Sequence, residues 1–233
     1  METALPVQSE DRHQPALTRL DPAGTARAVV LMLHGGKERS RQAVDGRSAS
    51  WRRSAAMQRA IAPGAHEAGV ATCLLRYRRR GWNGGPSPVA DARWALGEVR
   101  EVYGDVPVVL LGHSMGARTS VHVADEPGVV GVVALAPWLP PGEEVAALAG
   151  RHLVAAHGSR DRITSARATA TYVERARRVA ASADLVDMGR LGHYMLRGAA
   201  DWNEVALTRS LDLLDRWTDR PGPPAATGPD RPE

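Results

Sequence analysis

The chain has 233 residues and is 43% hydrophobic, enough to bury the core of one ordinary domain. Its formal charge is only +4, with acidic residues interspersed among basic ones, so the concentrated basic face of a nucleic-acid binder is not expected. The lone Cys73 excludes an internal disulfide, and no apolar run reaches the ~20 residues of a bilayer crossing, so no membrane partner is expected.

Residues 1–15 are polar, carry two prolines and read as a flexible segment. They show no basic stretch followed by an apolar run, so a cytoplasmic location is expected by default. From residue 16 to 219 the pattern is that of one domain. After a short strand candidate, Ala16 to Leu20, apolar runs recur at Ala28 to Leu33, Val70 to Leu75, Val106 to Leu111, Val129 to Ala136, His152 to Ala156 and Ala183 to Met188. They are rich in Val and Leu and mostly continuous, as in strands buried on both faces. Between them, helices are predicted over Trp51 to His66, Val89 to Tyr103, Met115 to Ala124, Ala166 to Ala181 and Asp201 to Trp217. Strand and helix in steady alternation predict an α/β fold with a doubly wound, mostly parallel sheet flanked by helices. Residues 220–233 are a Pro-rich tail expected to be disordered. Two arginine clusters, Arg39 to Arg53 and Arg76 to Arg80, read as solvated loop charge. Cys73 falls inside a strand run and reads as a packed, inert thiol.

In a doubly wound fold, ligands bind beyond the carboxyl ends of the strands. Residues just after each apolar run are therefore the candidates for chemistry. The run Val108-Val109-Leu110-Leu111 leads into Gly112-His113-Ser114-Met115-Gly116 and then a helix. A serine at a sharp strand-to-helix turn needs small neighbours and gains the positive end of the following helix, so Ser114 is the candidate nucleophile. Its base should follow the last strand. His193, in Gly192-His193-Tyr194, meets that requirement. His113 sits in a variable slot of the turn, His34 reads as a loop-structuring residue and His157 as a packed strand-end residue. The orienting acid is expected at Asp161, just after the strand ending at Ala156, with Asp187 ranked lower because it lies inside a predicted strand. Oxyanion donors are expected from the N–H of Met115 and from Gly36 in His34-Gly35-Gly36. A phosphate-binding loop would carry Gly-Lys-Ser or Gly-Lys-Thr, and the sequence has neither after Gly36.

With these motifs in the order Gly36, Ser114, Asp161, His193, the sequence resembles the α/β-hydrolase superfamily, in particular its small esterase and dienelactone-hydrolase-like members. The likeness spans roughly residues 20–217. It implies an α/β-hydrolase fold, the Ser114–Asp161–His193 triad, and acyl transfer without metal or other cofactor. Dienelactone hydrolases use a cysteine where this chain has Ser114. Such folds begin with antiparallel strands, for which Ala16 to Leu20 is the one candidate. Between Val129 to Ala136 and the strand near His152 there is room for one short helix around Glu143 to Ala149, so no cap domain is expected. Trp82, Trp138 and Tyr194 are candidate walls of an open pocket.

The expected function is therefore a serine hydrolase acting on a small carboxylic ester or related acyl substrate through an acyl-enzyme. Thioesterase, acyltransferase and cofactor-free perhydrolase chemistry use the same groups, and a noncatalytic binding protein of this fold is a further alternative. The sequence does not define the oligomeric state.

Overall fold

The computed structural model describes residues 14–218, so the two expected flexible ends lie almost wholly outside the described residues. The elements run β1 (Ala16–Leu20), β2 (Ala28–Leu33), α1 (Ala49–Glu67), β3 (Val70–Arg76), α2 (Pro86–Tyr103), β4 (Val108–His113), α3 (Met115–His122), β5 (Val129–Leu135), a single 3₁₀ turn (Ala146–Leu148), β6 (His152–His157), α4 (Ala166–Ala176), β7 (Ser182–Asp187) and α5 (Ala199–Thr218). The strands form one sheet in the order β1-β3-β2-β4-β5-β6-β7. All neighbours are parallel except β1, which runs antiparallel to β3 with Ala16 opposite Arg76 and Leu20 opposite Thr72.

Strand alternation divides the core into two layers. Val29, Leu31 and Leu33 of β2 pack with Leu96 and Val99 of α2, Ala117 and Val121 of α3, and Tyr172 and Val173 of α4. Ala28, Val30 and Met32 point the other way, onto Ile61 of α1 and the fully buried Trp202, Leu213 and Leu214 of α5. Burying both faces explains why β2 through β6 read as continuous apolar runs.

Most element bounds shift by one to three residues from the sequence reading, and three departures carry a structural consequence. β4 starts two residues later than expected and continues through Gly112 and His113, which pair with Leu33 and Leu135. Pro107 has no N–H to give a ladder, and its carbonyl accepts from Val29 N–H instead. α4 stops at Ala176 rather than Ala181, because Arg177 reaches across to the carbonyl of Ala183 and a tight turn follows. β7 is not buried on both faces: it is the sheet edge, with Leu185 exposed and Asp184 beside it. A charged residue on such an edge discourages pairing with another chain. The segment between β5 and β6 holds only the 3₁₀ turn, so among the described residues no cap covers the carboxyl edge.

The topology selects one crevice on that edge. From β2 the chain moves outward to β3, then returns across β2 to form β4. The connections after β2 and β4 leave in opposite directions, and the opening between them is the switch point where α/β sheets bind ligands.

Candidate active site

Ser114 stands at this switch point, between β4 and α3. Its backbone is at φ 53° and ψ −114°, a strained combination for a residue with a side chain. The surroundings enforce it: Ser114 N–H donates to Leu135 O at 3.1 Å, and Ser114 O accepts from Trp138 N–H and Arg118 N–H, each at 3.2 Å. The flanking glycines are required by space. A Cβ on Gly116 would lie 1.9 Å from Leu33 O, and one on Gly112 would lie 2.5 Å from Ala117 N. Only glycine at both positions lets the turn fold this tightly against β2.

The loop after β2 lies directly against the serine. A Cβ on Gly35 would fall 3.4 Å from Ser114 Cβ, and one on Gly36 would fall 2.4 Å from Met115 Sδ. Met115 opens α3, where the first N–H groups have no partner within the helix. His34 holds the loop. Its Nδ1–H donates to Gly35 O at 2.6 Å and its Nε2 accepts from Tyr77 N–H at 3.4 Å. Burial lowers its pKa to about 4, so the ring stays neutral.

Asp161 and His193 come together from the loops after β6 and β7. Asp161 Oδ2 lies 2.8 Å from His193 Nδ1, with the carboxylate fully buried and the imidazole nearly so. Asp161 Oδ1 accepts from the N–H groups of Ile163 and Thr164 at 2.8 and 2.9 Å, while Thr164 Oγ1–H donates to Oδ2 at 2.8 Å. Burial alone would raise the carboxyl pKa, but hydrogen bonds from His157, His193, Thr164 and Ile163 outweigh it and hold the group well below the usual carboxylate range. An anion here fixes the proton of His193 on Nδ1 and leaves Nε2 as an acceptor.

Two histidines have roles that sequence reasoning missed. His157 is packed at a strand end, as expected, but its Nε2 also lies 3.2 Å from Asp161 Oδ2, and its Nδ1 accepts from Thr169 Oγ1–H at 2.9 Å. Asp161 is thus shared by two imidazoles. The available signal was the spacing of His157 and Asp161 across the Gly158 turn. His113, the residue before Ser114, is engaged with the loop of His193. Its Nε2–H donates to His193 O at 3.0 Å, and the two rings lie 4.9 Å apart. Burial, reinforced by the neighbouring His193, lowers the His113 pKa to about 3. The residue before Ser114 therefore pins the loop that carries His193.

The remaining candidates divide. Trp82 and Trp138 lie with ring centres 6.4 Å apart and line a groove of about 1260 Å³. Tyr194 is 54% exposed, meets the His193 ring edge-on and sits under Arg53, and lines neither this groove nor a second cavity of about 620 Å³ bordered by Arg53 and Met195. Asp187 ends β7 and caps its own turn through Gly189 N–H at 2.8 Å, exposed to solvent. Cys73 is buried in β3, and burial pushes its thiol up to about 12. Among the described residues, no cluster of His, Cys, Asp and Glu is spaced to hold a metal ion, and no helix is long and apolar enough to cross a membrane.

Residues 30–232 match the alpha/beta hydrolase family. The chain belongs to that family. It is a hydrolase without a cap domain, and several solved alpha/beta hydrolases share its architecture. One is an alpha-beta serine hydrolase homologue from Coxiella burnetii, with a TM-score of 0.67, 16% identity and coverage of 84% of this chain and 91% of that one. Another is XC6422 from Xanthomonas campestris, a serine hydrolase without a lid, with a TM-score of 0.66, 17% identity and coverage of 89% and 91%. The solved structure of TT1662 from Thermus thermophilus shares the fold as well, with a TM-score of 0.63, 19% identity and coverage of 88% and 94%. No curated protein matches the sequence.

Proposed function

We propose that this alpha/beta hydrolase cleaves carboxylic esters or closely related acyl compounds through an acyl-enzyme on Ser114. The observation that carries the reading is the 2.8 Å contact between His193 Nδ1 and Asp161 Oδ2, on the sheet edge where the strained Ser114 sits. His193 Nε2 takes the Ser114 proton as Oγ attacks the ester carbonyl carbon. The N–H groups of Met115 and Gly36 receive the developing oxyanion, and the dipole of α3 favours that charge. Collapse breaks the bond to the alcohol, which leaves with the proton from His193. Water then gives a proton to His193 and its oxygen to the acyl carbon, releasing the acid and restoring Ser114. Asp161 stays ionised throughout, and its five donors support that role.

A fluorophosphonate probe tests the reading, because it reacts only with an activated serine. Labelling of the wild-type protein that disappears in Ser114→Ala is the expected result. An unlabelled wild-type protein, or equal labelling of the variant, overturns the proposal.

A further inference from the structure

We propose that the groove beside Ser114 is an anion site, and that the ester cleaved there carries a carboxylate or phosphate on one of its two arms. The second half of this rests on the reaction proposed above. The groove adjoins the serine turn: its lining residue Trp138 donates its backbone N–H to the backbone carbonyl of Ser114, and Arg118, which also lines it, donates its backbone N–H to the same carbonyl. The opposite wall continues from the Gly36 loop and carries Glu38, Arg39 and Arg41.

Arg39 and Arg41 are exposed and meet no carboxylate among the described residues. Arg118 forms the floor. Its guanidinium is packed between Trp82 at 4.3 Å and Trp138 at 4.6 Å, and its Nε lies 2.6 Å from the buried Glu143, which also holds His122. Glu143 offsets that charge, so the uncompensated charge of this wall is that of Arg39 and Arg41 set against Glu38. The sum is positive.

These arginines are exposed, as the sequence reading of solvated loop charge expects, and the backbone that carries them is held in place. Lys37 N–H donates to Arg80 O at 2.8 Å, Arg80 N–H to Gln42 O at 2.9 Å, Trp82 N–H to Lys37 O at 2.8 Å and Asn83 N–H to Glu38 O at 3.0 Å. The Asn83 side chain adds bonds to both backbone groups of Ser40, at 2.9 Å each. A backbone held at this many points fixes where the two side chains begin, so only their own rotamer freedom is lost when an anion binds. Planar guanidinium forks match carboxylate and phosphate oxygens, and a concave wall concentrates their field.

The test begins with binding to the wild-type protein. Glutarate, phenyl phosphate and the neutral glutaramide are titrated at low salt by calorimetry. The expected result is that at least one anion binds ten-fold or more tighter than the amide, and that added salt weakens it. Arg39→Ala/Arg41→Ala should weaken that anion by roughly tenfold or more, the scale of one charge-assisted hydrogen bond. A control pair on the far side of the molecule, Arg209→Ala/Arg216→Ala, should not.

Kinetics then compare p-nitrophenyl hemiglutarate with p-nitrophenyl butyrate, and 4-carboxyphenyl acetate with phenyl acetate. One of the two charged-to-neutral ratios of kcat/KM should fall by roughly tenfold or more in the Arg39/Arg41 variant. Equal binding of anions and amide, or equal losses in both double variants, overturns the proposal. So does displacement of the bound anion by a short DNA duplex that binds far tighter, which would mark a polyanion surface. Intact anion binding with no turnover of any ester sinks the esterase reading alone and supports the anion site.

Discussion

Asp161→Asn isolates the tautomer argument, because the structure dictates how the new amide must sit. Two rotamers are available to it. If the nitrogen replaced Oδ1, it would set donor against donor at the N–H groups of Ile163 and Thr164, and both would lose their acceptor. That rotamer is disfavoured against one in which the facing groups can reverse their roles. The nitrogen must then replace Oδ2, where it faces His193 Nδ1, His157 Nε2 and the Thr164 hydroxyl. His193 can meet an N–H donor only by moving its proton from Nδ1 to Nε2. His157 can follow, because Thr169 Oγ1 at 2.9 Å can accept from its Nδ1–H instead of donating. With Nε2 protonated, His193 cannot take the proton of Ser114. The expected loss is about 10⁴-fold in kcat, or ~5 kcal/mol of barrier. The assay is steady-state hydrolysis of p-nitrophenyl acetate, with circular dichroism to verify folding. Asp187→Asn is the comparison: its exposed carboxylate only caps the Gly189 turn, and kcat should change by less than roughly threefold, within the range of an ordinary surface substitution. A folded Asp161→Asn enzyme that keeps a tenth of its kcat refutes the reasoning, as does an equal loss at Asp187.

Ser114→Ala should lower ester turnover by about 10⁴-fold or more with an unchanged fold, and retention of most activity would move the nucleophile elsewhere. Gly116→Ala would force a Cβ to within 1.9 Å of Leu33 O, so thermal denaturation should show a loss of ~3 kcal/mol or more, whereas Gly97→Ala, in α2 with nothing within 4 Å, should stabilise by ~0.5–1 kcal/mol. Trp138→Ala should shift the kcat/KM profile across acetyl, butyryl and octanoyl esters toward longer chains, at ~0.8 kcal/mol per newly buried CH₂; an unchanged profile returns Trp138 to packing against Arg118. His34 and His113 are held neutral with pKa values of about 4 and about 3, so the unfolded chain binds more protons between those values and 6.5, and stability must fall as pH falls through that window. Urea denaturation at pH 7 and pH 5 should show that fall, and His113→Gln should flatten it.

Much of this architecture is legible in local sequence because local physics creates it. β2 through β6 are buried on both faces, so continuous apolar runs mark them. The serine turn is legible because two glycines are the only residues that fit against Leu33 and Ala117. What local reading misses is set by contacts far apart in the chain. The exposure of β7 follows from its place at the sheet edge, which no short window reveals. Arg39 and Arg41 are exposed, as their sequence reads, but the bonds to residues 80–83 that hold their loop are invisible in any short window.

The same distinction applies to the histidines. Each of His34, His113, His157 and His193 ends a strand or follows one, and position alone separates only His193. Their partners separate the rest. His34 bonds backbone on both sides and serves the Gly35-Gly36 loop. His113 bonds the backbone of His193 and couples the serine turn to the β7 loop. His157 meets the same carboxylate oxygen as His193, so it competes for the charge that His193 uses. Additional donors on a carboxylate lower its basicity. Asp161 therefore resists taking a proton from the imidazolium of His193, and the proton removed from Ser114 stays on His193 until the leaving alcohol takes it. The crowding of five donors around one carboxylate thus favours an acid that orients and stabilises without itself titrating.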